Sequence, residues 1–230
     1  MSKLSTLNFN SLQLKLIGYA MTLFGAVGIT FFSGEGQETI RLVLEFISYP
    51  AIAIFAFLLV QGYEHTDDRR KYTLQLALSA VAAEPFYDYA CIGKWLDYNA
   101  ANGQNFLFAL LMCQLILVFL KTAERSEKFK GFMIVSLFLA IPFWAMLLNI
   151  RFSGIAMVLT VVFYLLRKNP KAMLITNIVV STVLLKFTAG LSAPLIHGYN
   201  GERGGYSKHL FYALYPAMWV ILSLVKFVIA

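Results

Sequence analysis

The stretch GYEHTDDRRKYTLQLALSAVAAEPFYD, from Gly62 to Asp88, decides how the chain has to be read. Its first part, Glu64 to Lys71, is a tight cluster of ionisable side chains. Its second part is apolar enough to enter a bilayer, yet it carries Glu84 and Asp88 at its far end. A carboxylate at membrane depth costs about 3 kcal/mol or more, so it faces a protein interior or a wet cavity and marks function. At 1.5 Å per residue Glu84 lies about 18 Å along a helix from Tyr72. Asp88 follows four residues later on the same face. Pro85 removes a backbone donor and bends the helix beside Glu84.

Composition agrees with a membrane setting. The 230 residues are 59% hydrophobic and only 13% charged, where soluble domains carry about 25% charged residues. Mean hydropathy is +0.69. Twenty Phe, twelve Tyr and three Trp suit helices with aromatic belts at both interfaces. Met1 to Gln13 is polar and the apolar run after it lacks a small-x-small cleavage site, so that run reads as a first spanning helix rather than a signal peptide. Cys91 and Cys113 are too few for a disulfide framework and lack metal spacing. The three His residues stand well apart, which predicts no metal site. The expectation is an all-α polytopic integral membrane protein, a single transmembrane helical domain over residues 1–230.

Apolar stretches near the ~20 residues needed to span fall at 14–32, 43–61, 73–90, 105–120, 131–149, 151–166, 172–190 and 209–229. Eight spans place both termini on one side. Asn149-Ile150-Arg151 must then form a tight turn between the fifth and sixth. Alternate connections hold unequal numbers of cations. One side has Lys3, Lys15, Arg69, Arg70, Lys71, Lys121, Arg125, Lys128, Lys130, Arg167, Lys168, Lys171 and Lys226; the other has Arg41, Lys94, Arg151, Arg203 and Lys208. The positive-inside rule makes the first side, and both termini, cytoplasmic. The net charge of +7 is thus mostly a topology signal. No dense aromatic-basic patch marks a nucleic-acid partner.

Each polar motif has a structural and a functional reading. In Glu64 to Tyr72, a topogenic loop explains Arg69, Arg70 and Lys71 by themselves. The functional alternative places His65 in proton transfer and lets Arg69 and Arg70 meet phosphates through their forked donors. For Glu84 and Asp88 the structural alternative is an ion pair with Lys186 on span seven. Gln104-Asn105 opens span four, where Asn105 suits a helix cap. The connection His197 to Tyr206 is rich in turn formers around Glu202 and Arg203. It has no P-loop spacing, and the chain has neither a nucleophile elbow nor a zinc-binding His-Glu-x-x-His helix.

In order and spacing these pieces resemble the TraX family of integral membrane proteins. The likeness rests on Tyr49-Pro50, Gly62-Tyr63, Lys71-Tyr72, Ala83 to Asp88, Gln104-Asn105 with Phe108, Gly154 to Tyr164, Tyr199 to Gly204 and Phe211 to Pro216. It implies a multi-pass protein of the bacterial inner membrane that uses acetyl-CoA to acetylate the amino terminus of a conjugative pilin. In that chemistry Glu84 or Asp88 is the base, with His209 or His65 assisting. Gln104, Asn105, Tyr199, Asn200, Glu202, Arg203 and Tyr212 bind substrate, and Arg69, Arg70 and Arg167 meet the acetyl-CoA phosphates. The chain departs from the family in two places. It has Gly25-Ala26 where an Asp-His pair is usual, and Ala217-Met218 after Tyr215-Pro216 where a small residue and a His are usual. The alternative is a pilin maturation, cyclisation or chaperone factor without acetyl transfer. A solute transporter would need an internal repeat, which the sequence does not show.

Overall fold

The computed structural model describes residues 7–97, 103–126, 128–185, 187–205 and 209–229. Nine α-helices account for almost all of them: α1 (Ser11–Phe31), α2 (Glu38–Glu64), α3 (Arg69–Ile92), α4 (Phe106–Glu124), α5 (Lys130–Leu147), α6 (Ser153–Leu166), α7 (Pro170–Leu185), α8 (Ser192–His197) and α9 (Leu210–Ile229). A 3-10 turn, Phe187–Leu191, joins α7 to α8. The only β pairing among the described residues is two isolated bridges. The helix boundaries follow local chemistry. Asn10 and Gln13 form a reciprocal capping box at the start of α1. Asp68 accepts from the Lys71 N–H to open α3, and Gly93, at φ +72°, closes it in the left-handed conformation.

Five helices, α1, α2, α4, α5 and α9, are long and apolar enough to cross a membrane, while α6 and α7 are apolar but shorter. Helix α3 has the length, at 24 residues, and is kept out of that set by its polar side chains. Exposed Phe132, Leu139, Phe143, Met146 and Val183 form outward faces that water would penalise and acyl chains would not. The chain is a helical membrane protein.

Helix contacts define two ends. Helices α1 and α2 run antiparallel: Gly18 faces Phe55, Gly25 faces Ser48 and Gly28 faces Leu44. At Gly25 a Cβ would lie 2.6 Å from Ser48 Oγ, so the two backbones approach as only a small residue permits. The start of α1 therefore lies with the end of α2 and, through Gly62 against Tyr72, with the start of α3. This near end also holds Glu64, Glu124 and Arg167, which are linked by ion pairs.

The expected eight crossings with both termini together do not occur. Helix α7 has 16 residues, about 24 Å against a ~30 Å hydrocarbon core. Beyond it the chain turns back. Gly190 packs by Thr182, and Asn177 Nδ2 donates to Ser192 Oγ at 3.1 Å while Ser181 Oγ donates to Asn177 Oδ1 at 3.0 Å. Each of these polar groups, buried in an apolar run, needs a partner; Ser181 finds it one turn back on α7, and Asn177 finds Ser192 across the hairpin. Lys186, the expected partner of the carboxylates, lies outside the described residues. Helix α8 then returns the chain to the near end. There the Phe9 N–H donates to Gly198 O (2.7 Å), the Asn200 N–H to Phe9 O (2.9 Å) and the Ser11 N–H to Glu202 O (2.8 Å). Helix α9 starts at that end and runs parallel to α3: Tyr212 packs on Tyr72, Trp219 on Tyr87 and Phe227 on Tyr89. Lys226 Nζ donates to Ala90 O at 2.7 Å. Phe9 and Phe227 thus lie at opposite ends, Arg203 joins the cation-rich end and Lys226 leaves it.

This connectivity is testable by labelling. Single cysteines at Ser126 and Glu202 will react with a membrane-impermeant maleimide from the same face, and one at Ile229 from the opposite face. Reaction of the Ser126 and Ile229 positions from one face, with Glu202 reacting from the other, would restore eight crossings.

Candidate functional site

The polar layer at the far half of α3 grows from Pro85. With no N–H, Pro85 leaves one rung of the helix unmade, and the neighbouring Ala80 carbonyl accepts from Asn105 Nδ2 at 2.9 Å. The same Asn105 donates to Glu84 Oε2 twice, from its backbone N–H at 3.0 Å and from its side-chain amide. Its Oδ1 accepts from the Leu107 N–H at 2.9 Å and so caps α4. One fully buried amide therefore ties the start of α4 to the bend of α3. Glu84 Oε1 is buried with no hydrogen-bond partner, and so is Asp88 Oδ1 one turn further on. The other Asp88 oxygen accepts from the Asp97 N–H at 2.8 Å.

Helix α4 thus begins level with the middle of α3, and α3 continues for about 12 Å beyond Glu84. The α5–α6 turn sits at the same depth. The Gln104 N–H donates to Asn149 O (2.8 Å) and the Arg151 N–H to Gln104 O (3.2 Å). Positive φ at Asn149 (+43°) and Phe152 (+57°) makes that turn tight, as Asn149-Ile150-Arg151 predicted. Gly103, at φ +66°, would place a Cβ 2.7 Å from Asn149 O, so any side chain there would separate the two strands of the bridge. Irregular backbone at membrane depth is tolerated where protein covers it. Arg151, only 16% exposed, pairs with Glu45 of α2 at 3.6 Å and hydrogen-bonds the Tyr87 side chain. Tyr215 Oη of α9 accepts from the Phe106 N–H at 3.2 Å. Five helices therefore meet around the carboxylates of α3.

The expected site residues divide between the ends. Glu84, Asp88, Gln104 and Asn105 share this layer. Tyr199, Asn200, Glu202 and Arg203 sit at the near end beside residues 9–12; Tyr199 packs on Phe57 at 5.4 Å. His209 meets Gln75 at 3.1 Å, about 13 Å from Glu84 along α3, and Tyr212 packs on Tyr72. His65 caps α2, with Nδ1 2.7 Å from Gln61 O, on an exposed turn. Arg69 and Arg70 line a surface groove of about 550 Å³ together with Lys121 and Arg125. Arg167 lies apart from it, stacked on Tyr164 and bound to Glu124 at 2.7 Å. Burial works against the Arg167 charge, but Glu124 outweighs it and holds the pKa above its ordinary value. Among the described residues no group of His, Cys, Asp and Glu is placed to hold a metal.

Sequence reading missed Glu45, Tyr87 and Tyr215 as members of the layer. Tyr215 was visible within Phe211 to Pro216, and Arg151 at its turn, but nothing local joins Arg151 to Glu45. The missing Asp-His pair of α1 has a physical counterpart: at Gly25 the space is taken by Ser48.

These features define a helical membrane protein with a buried carboxylate layer. The TraX family, described as TraX protein, matches residues 21–226, and the chain belongs to it. It is also similar to the probable fimbrial assembly protein FimC, serogroup H1, of Dichelobacter nodosus, with 23% identity over 96% of this chain and 97% of that protein. No solved structure matches the fold.

Asn105→Ala will lower thermal stability by about 1–3 kcal/mol, since it removes the side-chain bonds to Glu84 and to the Ala80 carbonyl together with the cap of α4. Asn105→Asp keeps the cap but sets a second carboxylate against Glu84. Its stability defect will shrink as pH falls and either acid is protonated, measured by thermal unfolding in detergent across pH. A defect that is the same at every pH would exclude the charge contact.

Proposed function

We propose that this chain acts in pilus biogenesis as a membrane-embedded acyltransferase that acetylates the amino terminus of a pilin subunit or similar small membrane peptide. Membership of TraX and the likeness to a fimbrial assembly protein support the pilus setting. The observation that carries the chemistry is the pair of buried, unpartnered carboxylate oxygens, Glu84 Oε1 and Asp88 Oδ1, on one face of α3. Two acids there suit an ammonium group, and a free peptide amino terminus is one.

The near end, rich in cations, faces the cytoplasm of a bacterial inner membrane by the positive-inside rule, and acetyl-CoA approaches from it. The peptide amino terminus enters from the far end. Glu84 takes one proton from the ammonium, the freed amine attacks the thioester carbonyl, the C–S bond breaks, and the second proton shed by the nitrogen goes to the departing thiolate. Asn105 holds Glu84 in place, and Arg151 keeps the neighbouring turn in register through Glu45 and Tyr87. Tyr199 and Arg203, at the other end, take no part in stabilising the oxyanion. His209, about 13 Å from Glu84 along α3, acts on the donor side.

A second reading, pilin maturation without acetyl transfer, draws on the separation of the two ends: Arg69 lies about 22 Å along α3 from Glu84. Intact mass of the pilin separates them. With this protein the pilin will gain the mass of one acetyl group, and Glu84→Gln will reduce the modified fraction at least about tenfold, in the range of lost general-base catalysis. Unchanged acetylation in both Glu84→Gln and Asp88→Asn would sink the carboxylate assignment. A different mass change would select maturation.

A further inference from the structure

The groove at the near end differs from the carboxylate layer in every chemical respect. It lies between the end of α2, the start of α3 and the end of α4, and no carboxylate lines it. Arg69, Arg70, Lys121 and Arg125 stand at its mouth, and Leu74, Ala77 and Val118 form its floor. Lys121 shares Glu124 at 3.5 Å, a residue otherwise engaged by Arg167. The Arg69 guanidinium is fixed over the Tyr63 ring, 4.5 Å from its centroid, and its Nε is buried with no hydrogen-bond partner. A buried donor of that kind lacks an acceptor.

Depth distinguishes the possible acceptors. Leu74 and Val118, 58% and 42% exposed, lie one to two helical turns below the cations, on surface that faces acyl chains. Cations at headgroup level above an apolar, outward-facing floor match a phosphate on a hydrocarbon tail. Basic pockets between helices at the anionic leaflet bind lipid phosphates for this reason.

We propose that the Arg69–Arg70–Arg125 groove is a binding site for the phosphate headgroup of an anionic phospholipid, with one acyl chain along Leu74 and Val118. The phosphate accepts from the forked Arg donors and completes the Arg69 Nε. The site is independent of acyl transfer. It reassigns Arg69 and Arg70 from the acetyl-CoA phosphates to the membrane. A soluble phosphate ester shares the headgroup chemistry but would leave the apolar floor uncovered.

The test uses the full chain purified in detergent. Native mass spectrometry after addition of phosphatidylglycerol, phosphatidylcholine or coenzyme A will show phosphatidylglycerol retained, phosphatidylcholine not, and any coenzyme A retention unaltered by the groove variants. Retention will fall about fivefold for each cation removed in Arg69→Gln, Arg70→Gln and Arg125→Gln. Lys171→Gln, at the same end but outside the groove, will retain lipid normally. Should the triple variant fail to fold, Arg70→Gln and Arg125→Gln, both at exposed positions, carry the test singly. Equal phosphatidylglycerol retention by native protein and variants overturns the proposal. So does Arg69-dependent binding of coenzyme A without binding of phosphatidylglycerol, which would return the groove to a soluble donor.

Discussion

The contact on which most of the architecture depends is that between Asn105 and Glu84. A carboxylate in the apolar half of a helix is tolerable only when donors reach it, and at the bend beside Pro85 the Ala80 carbonyl takes a donor from another helix. Asn105 answers both needs with one side chain while capping α4. To do so, α4 must begin level with the middle of α3 rather than at its end. The α5–α6 turn, bridged to Gln104, is drawn to the same depth, which explains why α6 can be only 14 residues long.

Short helices recur for a common reason. In hydrocarbon, backbone groups are satisfied within helices, and a chain that leaves helical geometry must do so against protein. The turn at Asn149–Phe152 does so against Gln104, and the 3-10 turn with α8 does so against α2 and α7. Both irregular segments are stabilised by buried polar side chains, Arg151 in one and Asn177 with Ser192 in the other. The second converts an expected crossing into a hairpin that returns to the near end. That single reversal determines where the Tyr199–Arg203 loop and α9 lie.

The outcome is a molecule polarised along its helices. The near end concentrates cations, aromatic packing between α3 and α9, and an arginine groove. The far half holds carboxylates tied to amides and a buried guanidinium. Because α3 contributes to both, from Arg69 at one end to Asp88 toward the other, it is the element through which the two regions share one frame. The parallel packing of α9 against it, from Tyr212 to Phe227, keeps that frame continuous.

Much of this was written in the order of residues. Apolar runs alone located the helices α1 to α7 and α9, because burying a backbone in lipid demands helices and leaves a strong compositional trace. Glu84, Pro85 and Asp88 announced a polar layer for the same reason, and Asn105 was recognisable as a cap. The sequence could not determine which way the chain ran after α7: the apolar run from Ala172 to Gly190 suits a crossing, and only Asn177 meeting Ser192 reveals the reversal. Nor could it join Glu45 to Arg151 or Tyr215 to Phe106. Those pairings hold residues about a hundred positions apart, and a hydrogen bond or ion pair leaves no mark on local hydropathy. Helix existence is a property of each segment against its solvent; the depth and direction of each helix come from partners elsewhere in the fold.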